Sequence, residues 1–307
     1  MTFQIAIVTD DRGWHGARLE RALHARGAEV RLFSLRECRI DLTHGNHGLA
    51  LPGFERRLPD GVFVRGISGG TLEQIVLRLD VLHALRELDV AVYNDARAIE
   101  RTVDKGMTSL LLARAGLATP PTCVTESPAM ARAFLLRETA AGHDVVAKPL
   151  FGAQGVGLRR LTAGHDIPDA AECGGVWYLQ RYVETGAEGR GWHDWRVFVI
   201  GGAAAAAMVR RGASWVNNVA QGGRCEPAAL DPDLARLAAR ACAAVGADYA
   251  GVDLIRDRDG GLQVLEVNGV PAWKGLQTVT RVDIAACLVA DFLTRRVATP
   301  TSAAGHG

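Results

Sequence analysis

The sequence predicts a mixed α/β and α+β protein: a small parallel α/β domain first, then a region built around antiparallel hairpins. Three observations point there. Strands and helices alternate over roughly residues 1–95. After residue 120 the strands come in pairs around glycine-rich turns. The chain has 307 residues, 48% of them hydrophobic and 22% charged, enough for two or three compact domains of ordinary soluble composition.

Gln4–Thr9 (QIAIVT) is a β-rich apolar run that ends in the turn Asp10-Asp11-Arg12-Gly13. Leu19, Ala22 and Leu23 then fall at helical spacing within Gly16–Arg26, which Gly27 stops. Ala28–Phe33, Gly61–Val64 and Val90–Tyr93 read as further strands, with a long helix over Leu72–Leu88 and an irregular excursion over Asp41–Pro59. A helix is expected over Ile99–Leu117, ended by Gly116 and Pro120-Pro121. A strand over Thr122–Thr125 precedes a helix over Ser127–Ala141, with Ser127 as N-cap and Pro128 at the first helical position. Strands follow at Asp144–Lys148, Gly157–Leu161 and Val176–Tyr182. Gly201-Gly202 between Asp194–Ile200 and Ala203–Arg210 is a hairpin signal. A helix over Asp231–Val245 leads to the strands Ala250–Arg256 and Leu262–Val267, and a last helix runs over Asp283–Arg296. The remainder, 297–307, is small and polar and reads as a disordered tail.

Composition excludes several classes of function. Lys and Arg number 35 against 34 Asp and Glu, so bulk charge gives no reason to expect nucleic acid as a partner. No apolar run approaches the roughly 18 to 20 residues that span a bilayer. Met1-Thr2-Phe3-Gln4 leads straight into a strand without a signal-peptide pattern, which points to the cytoplasm and to no membrane partner. The six cysteines form no C-x-x-C pair and the nine histidines no H-E-x-x-H, so neither zinc nor a disulfide framework is expected.

Four features carry chemistry. Lys105 lies in Val103-Asp104-Lys105-Gly106-Met107, near the start of a helix. Lys148 ends a strand and is followed by Phe151-Gly152-Ala153-Gln154-Gly155-Val156-Gly157. A glycine-rich turn lets backbone N–H groups approach phosphates where no Cβ interferes, and a lysine supplies a point charge. Taken alone, the turn reads equally well as a tight hairpin. In the third feature Glu266 and Asn268 are two apart on one strand, hence on one face, and Asp253 stands in the neighbouring strand. Flanked by Leu254, Val264, Leu265 and Val267, such carboxylates are costly to bury unneutralised, and a hard cation with oxygen ligands, magnesium above all, removes that cost. The simpler reading is three polar residues facing solvent. The fourth feature is Arg210-Arg211 with Asn217-Asn218 and Gly222-Gly223 downstream, either a clamp for carboxylate or phosphate or solvated surface charge.

In this order and spacing the four features resemble the ATP-grasp superfamily, and the RimK-like glutamate ligases most closely. The likeness covers about Tyr93–Phe292. It runs through Asp104-Lys105, Val145–Lys148, Gly152–Gly157, Gln180–Val183 and Asp194-Trp195-Arg196-Val197. It continues through Arg210, Asn218, Gly222-Gly223, Gly251-Val252-Asp253 and Glu266-Val267-Asn268. The resemblance implies a pre-ATP-grasp domain over 1–95 and an ATP-grasp core of two α+β subdomains, a central lid subdomain over 96–182 and a C-terminal metal subdomain over 183–296. Lys105 and Lys148 would hold ATP phosphates under a loop containing Gly152, Gln154, Gly155 and Gly157. Gln180, Tyr182 and Val183 would hold the adenine. Asp253, Glu266 and Asn268 would bind two magnesium ions, with manganese as a substitute. Arg196 would line the acceptor pocket, while Arg210 and Asn218, with Lys148, would serve catalysis at the γ-phosphate.

The implied reaction joins a small-molecule carboxylate acceptor to an amino acid, L-glutamate first among them, through an acyl-phosphate. Another amino acid, a protein C-terminal tail as acceptor, and a catalytically silent ATP-binding regulator are the competing readings, and a homo-oligomer is left open. Three positions depart from the family pattern. Val216 stands where an Arg is common, Gly269-Val270-Pro271-Ala272-Trp273-Lys274 replaces a Pro-Gly loop, and Arg181 replaces an acidic hinge residue. Trp215 and Trp273 would offer flat faces to an aromatic or pterin-like acceptor, a combination similar to ligases of tetrahydromethanopterin-dependent one-carbon metabolism.

Overall fold

The computed structural model describes residues 2–43, 47–152, 155–185, 191–216 and 222–298. Three sheets organise it. The first is parallel, in the order β2-β1-β5-β6, from β1 (Gln4–Val8), β2 (Glu29–Phe33), β5 (Gly61–Val64) and β6 (Ala91–Tyr93). Both faces are covered, which is why β1 after Gln4 is an unbroken apolar run rather than alternating. Ile5 and Ile7 face Leu19 and Leu23 of α1 (Gly13–His24), whereas Ala6 and Val8 face Val81, Leu82 and Leu85 of α2 (Leu72–Glu87). β4 (Leu49–Ala50), inside the excursion expected to be irregular, pairs antiparallel with β3 (Arg39–Ile40) just before it.

The expected helix over Ile99–Leu117 is two helices, α3 (Ala96–Val103) and α4 (Lys105–Arg114). Asp104 takes an extended conformation between them, and its carboxylate accepts the Met107 N–H at 3.0 Å as N-cap of α4. Local capping chemistry thus outweighs apolar periodicity and puts Lys105 on the first turn of a new helix.

The second sheet is antiparallel, β7-β10-β8-β9, from β7 (Thr122–Thr125), β8 (Val145–Lys148), β9 (Arg159–Leu161) and β10 (Trp177–Arg181). Ala131, Phe134 and Leu135 of α5 (Pro128–Ala140) cover it. The third, also antiparallel, runs β13-β12-β11-β14-β15, from β11 (Trp192–Ile200), β12 (Ala203–Gly212), β13 (Arg224–Pro227), β14 (Tyr249–Arg256) and β15 (Leu262–Asn268). Helix α6 (Pro232–Val245) packs Leu234, Ala238 and Ala241 against it. The Gly201-Gly202 hairpin forms as expected, with φ of 59° and 83°. A side chain at Gly201 would also collide with the Asp291 carboxylate.

Strand β13 and the short helix α7 (Lys274–Gln277) have no counterpart in the sequence reading. The expected last helix is regular only as α8 (Ile284–Asp291) and continues as a π-helical turn over Phe292–Val297. Of the expected tail, 299–307 lies outside the described residues.

Asn94 fastens the first sheet to the third. It is fully buried, and its Nδ2 donates to the carbonyls of Tyr249 (2.7 Å) and Gly269 (2.6 Å) while Oδ1 accepts from the Asp248 N–H (2.6 Å). Among the described residues no helix is long and apolar enough to cross a membrane.

Candidate active site

A cavity of about 600 Å³ lies between the second and third sheets. The structure brings to its walls Lys105, Lys148, Gly152, Gly155, Gln180, Tyr182, Val183, Arg196, Arg210, Asp253, Glu266 and Asn268. Gly157 is not on the wall but shapes the turn: its φ is +77°, and a Cβ there would come within 2.8 Å of Pro149. Gln154 and Asn218 lie outside the described residues.

On the second sheet's side, the Lys105 Nζ donates to the Gly152 carbonyl at 2.7 Å, tying α4 to the glycine-rich turn. Lys148 ends β8, and its Nζ donates to the Gln180 Oε1 at 2.7 Å. The Gln180 Nε2 in turn donates to Thr122 Oγ1 and Tyr178 Oη, both at 3.0 Å. The Gln180 side chain is therefore committed to holding Lys148 in place. Burial depresses both lysines: Lys105 falls below the ordinary lysine range, and Lys148 falls to about 8, with Lys105 pushing it down and Glu266 and Asp253 pulling it up. Both cations line the cavity that the carboxylates face.

The third sheet supplies the opposite wall. Asp194 and Arg196 are two apart on β11 and so share a face. Asp194 pairs in register with Arg210 on β12, Arg196 with Asp253 on β14, and Asp253 with Glu266 on β15. Register thus sets Arg210 beside Asp194 and lines up Arg196, Asp253 and Glu266 one step along, so that five charges share one face. Arg210 bonds Asp194 through Nε and Nη2, both at 2.7 Å, and its Nη2 also lies 2.9 Å from Asp253 Oδ2. Arg196 bonds both Asp253 oxygens at 2.7 Å. Burial alone would raise the Asp253 carboxyl, but Arg196 and Arg210 hold it below the usual carboxylate range. Arg210, itself pushed down by burial, ends above its ordinary value because two carboxylates flank it. Asp194 is the member of this group to which the sequence reading gave no role; its i, i+2 spacing from Arg196 was the available signal.

Glu266 and Asn268 differ from Asp253. Glu266 makes no hydrogen bond or ion pair among the described residues, and Asn268 donates its Nδ2 to the Gly251 carbonyl at 3.3 Å, leaving Oδ1 available. An unengaged carboxylate two residues from an unengaged amide oxygen is a donor set that fits a hard cation.

The two tryptophans expected at the acceptor separate. Trp273 is 0% exposed, packed against Trp14, His15 and Phe198 with the Arg65 guanidinium 5.0 Å from its ring centroid. It is a core residue and offers no face to a ligand, because the loop carrying it turns inward against the first domain. Trp215 lines the cavity.

An antiparallel pair of α+β units closing on a cleft of lysines, arginines and carboxylates, behind a parallel α/β domain, defines an ATP-grasp protein. Residues 102–292 match the RimK-like ATP-grasp domain and residues 3–99 the RimK PreATP-grasp domain. The chain belongs to the RimK-like ATP-grasp family, a family of carboxylate–amine ligases, and is an enzyme of that class. It is 37% identical over 234 residues to the tetrahydromethanopterin:alpha-L-glutamate ligase of Methanocaldococcus jannaschii, covering 74% of this chain and 76% of that protein. It is 30% identical over 293 residues to a probable alpha-L-glutamate ligase of Aliivibrio salmonicida, covering 94% and 95%. Among solved structures, the ATP-grasp ligase PsnB, complexed with a precursor variant, Mg and ADP, superposes with a TM-score of 0.72 at 24% identity, covering 95% of this chain and 98% of PsnB.

Proposed function

We propose that the protein joins L-glutamate to a carboxylate of a small-molecule acceptor, with ATP converted to ADP and phosphate by way of an acyl-phosphate. The observation that carries this reading is the convergence on one cavity of Lys105 and Lys148 from one side and Arg196, Arg210, Asp253, Glu266 and Asn268 from the other. Relatives named as alpha-L-glutamate ligases support the choice of amino acid.

In this reading Lys105 and Lys148 hold the β- and γ-phosphates, and the turn containing Gly152, Gln154, Gly155 and Gly157 covers them. Tyr182 and Val183 receive the adenine, and Gln180 serves the nucleotide by orienting Lys148 toward its phosphates. Glu266 and Asn268 would hold two magnesium ions or manganese in their place, and Asp253 would join them in exchange for guanidinium partners. Magnesium there would offset charge on the phosphate oxygens during transfer. Arg196 orients the acceptor carboxylate bidentately, and Arg210, with Asn218, steadies charge at the transferring phosphoryl group. The carboxylate oxygen attacks the γ-phosphorus and ADP leaves. The amine of glutamate then displaces phosphate from the acyl carbon, and the amide remains. Because water would destroy the acyl-phosphate, the glycine-rich cover has to exclude it.

The test is a coupled assay of ADP release over a panel of carboxylate acceptors with magnesium, ATP and L-glutamate, with products weighed by mass spectrometry. ADP release that needs both acceptor and glutamate, with a product heavier by one glutamyl group, is the expected result. Turnover with another amine only would shift the amino-acid assignment. Tight ATP binding without turnover on any acceptor, protein tails included, would favour a silent nucleotide-binding protein.

A further inference from the structure

Trp215 is the aromatic residue in the cavity that the reaction scheme leaves without a task. It follows β12 in a short turn where the Val216 N–H donates to Ser214 Oγ at 3.3 Å. Half-buried, it lines the cavity, and its ring meets that of Tyr182 edge-on, with centroids 6.0 Å apart and an interplanar angle of 82°.

Tyr182 directly follows β10, where the chain passes from the second sheet toward the third, and it is held firmly. Its N–H donates to the Asp144 carbonyl at 2.8 Å. The Asp144 carboxylate accepts from the Arg160 Nε at 2.6 Å, and that guanidinium lies 3.8 Å from the Tyr182 ring centroid. Asp144 thus fixes the backbone directly and the ring through Arg160. The Tyr182 ring, under the Arg160 guanidinium, stands nearly perpendicular to the ring of Trp215, which reaches over from the third sheet. The contact bridges the two sheets at the hinge end of the cavity. Val146 of β8 and Leu265 of β15 line the same cavity and supply apolar surface from each sheet.

We propose that Trp215 closes the base end of the nucleotide subsite and presents a stacking surface selective for a purine, so that it serves nucleotide recognition rather than the acceptor. The proposal rests on reading the cavity as an ATP site. The physical basis is that an indole held against a fixed neighbour has little rotational freedom to lose when a flat base packs on it, and a purine covers more of it than a pyrimidine. Truncating a base-stacking aromatic to alanine weakens binding by roughly tenfold to a hundredfold.

The full-length protein with magnesium would be titrated calorimetrically with ADP, with CDP and with inorganic tripolyphosphate, as wild type, Trp215→Phe and Trp215→Ala, after thermal melts establish that each is folded. Trp215→Ala should bind ADP at least about tenfold more weakly, Trp215→Phe should stay within about threefold of wild type, and tripolyphosphate, which has no base, should bind all three alike. Wild type should prefer ADP to CDP, and Trp215→Ala should lose most of that preference. ADP affinity in Trp215→Ala equal to wild type would overturn the proposal alone, as would an equal loss of tripolyphosphate affinity, which marks a distorted cavity rather than a lost stacking face. Failure of the wild type to bind ADP would overturn the ATP-site reading and this proposal with it.

Discussion

Arg196 grips Asp253 with both ends of its guanidinium, Nε and Nη2 each 2.7 Å from a different carboxylate oxygen. The pair is one half of a buried row, Asp194–Arg210–Asp253–Arg196, in which two positive and two negative charges cancel. Rows of this kind are stable because they are complete; each charge was taken out of water and relies on its neighbour. Arg210→Met leaves Asp194 buried and unpaired and should lower stability by about 3–5 kcal/mol. The double change Arg210→Met with Asp194→Leu should recover much of that loss, because no charge is then stranded. Urea denaturation of the two variants and wild type measures both effects. A double variant as unstable as the single one would mean that the row contributes through packing instead.

Glu266 stands directly across from Asp253 but has none of its partners. An unengaged carboxylate on a cavity wall has function rather than stability to lose. Glu266→Gln should cut turnover roughly a hundredfold or more, the scale of one preorganised electrostatic contact, while leaving the melting temperature within a few degrees of wild type. Steady-state ADP release beside a thermal melt checks the two halves. A near-normal rate would mean the metal-holding role belongs to other residues.

How far these arrangements were legible in the sequence differs from element to element. Apolar, unbroken β1 and the Gly201-Gly202 hairpin announce themselves, because burial on both faces and positive φ each leave a direct residue signature. Glu266 and Asn268 were legible as a pair, since strand periodicity is a local property. The break at Asp104 was hidden, because Ile99–Leu117 keeps helical periodicity across it and a side-chain cap overrides that only once the chain turns. Trp273 was misplaced for a different reason. Nothing in Pro271-Ala272-Trp273-Lys274 tells that His15, more than 250 residues away, accepts hydrogen bonds from the Trp273 and Lys274 N–H groups at 3.1 and 3.2 Å and draws the loop inward. Long-range tertiary contacts of this kind leave no periodic trace.

Lys148 links the site to pH. Burial brings its ammonium down to about 8, so the group changes charge near neutrality in the free enzyme. Phosphate favours the charged form. Below about pH 8 the lysine is already protonated and nucleotide affinity should vary little with pH. Above it, binding has to take up a proton, and affinity for ADP should fall by up to tenfold per pH unit until the pKa of the bound state is passed. Calorimetry at pH 9 in two buffers of different ionisation enthalpy would register that uptake as a buffer-dependent heat. In Lys148→Met the affinity should be weaker throughout and the buffer dependence should shrink; a buffer-independent heat in the wild type would remove Lys148 as the titrating group.

His15 makes a separable prediction about stability. Burial, with Arg65 and Lys274 nearby, lowers its pKa from an ordinary 6.5 to about 4, and its Nε2 accepts two backbone N–H bonds that only the neutral ring can accept. Between those two values the unfolded chain binds a proton that the folded protein refuses, so this residue makes stability rise with pH from about 4 to about 6.5 and fall on acidification through the same window. His15→Gln keeps an acceptor near the Trp273 and Lys274 N–H groups but does not titrate. It should hold most of the stability at pH 7 and show a flatter profile below pH 6.5. His15→Ala leaves both donors without their partner and should cost about 1–2 kcal/mol at pH 7, at the low end because the site is only half-buried. Melting temperatures of the three proteins from pH 4 to pH 7 decide the matter, since every other titrating group is common to them. Parallel profiles for wild type and His15→Gln would mean that the acid sensitivity of the fold arises elsewhere.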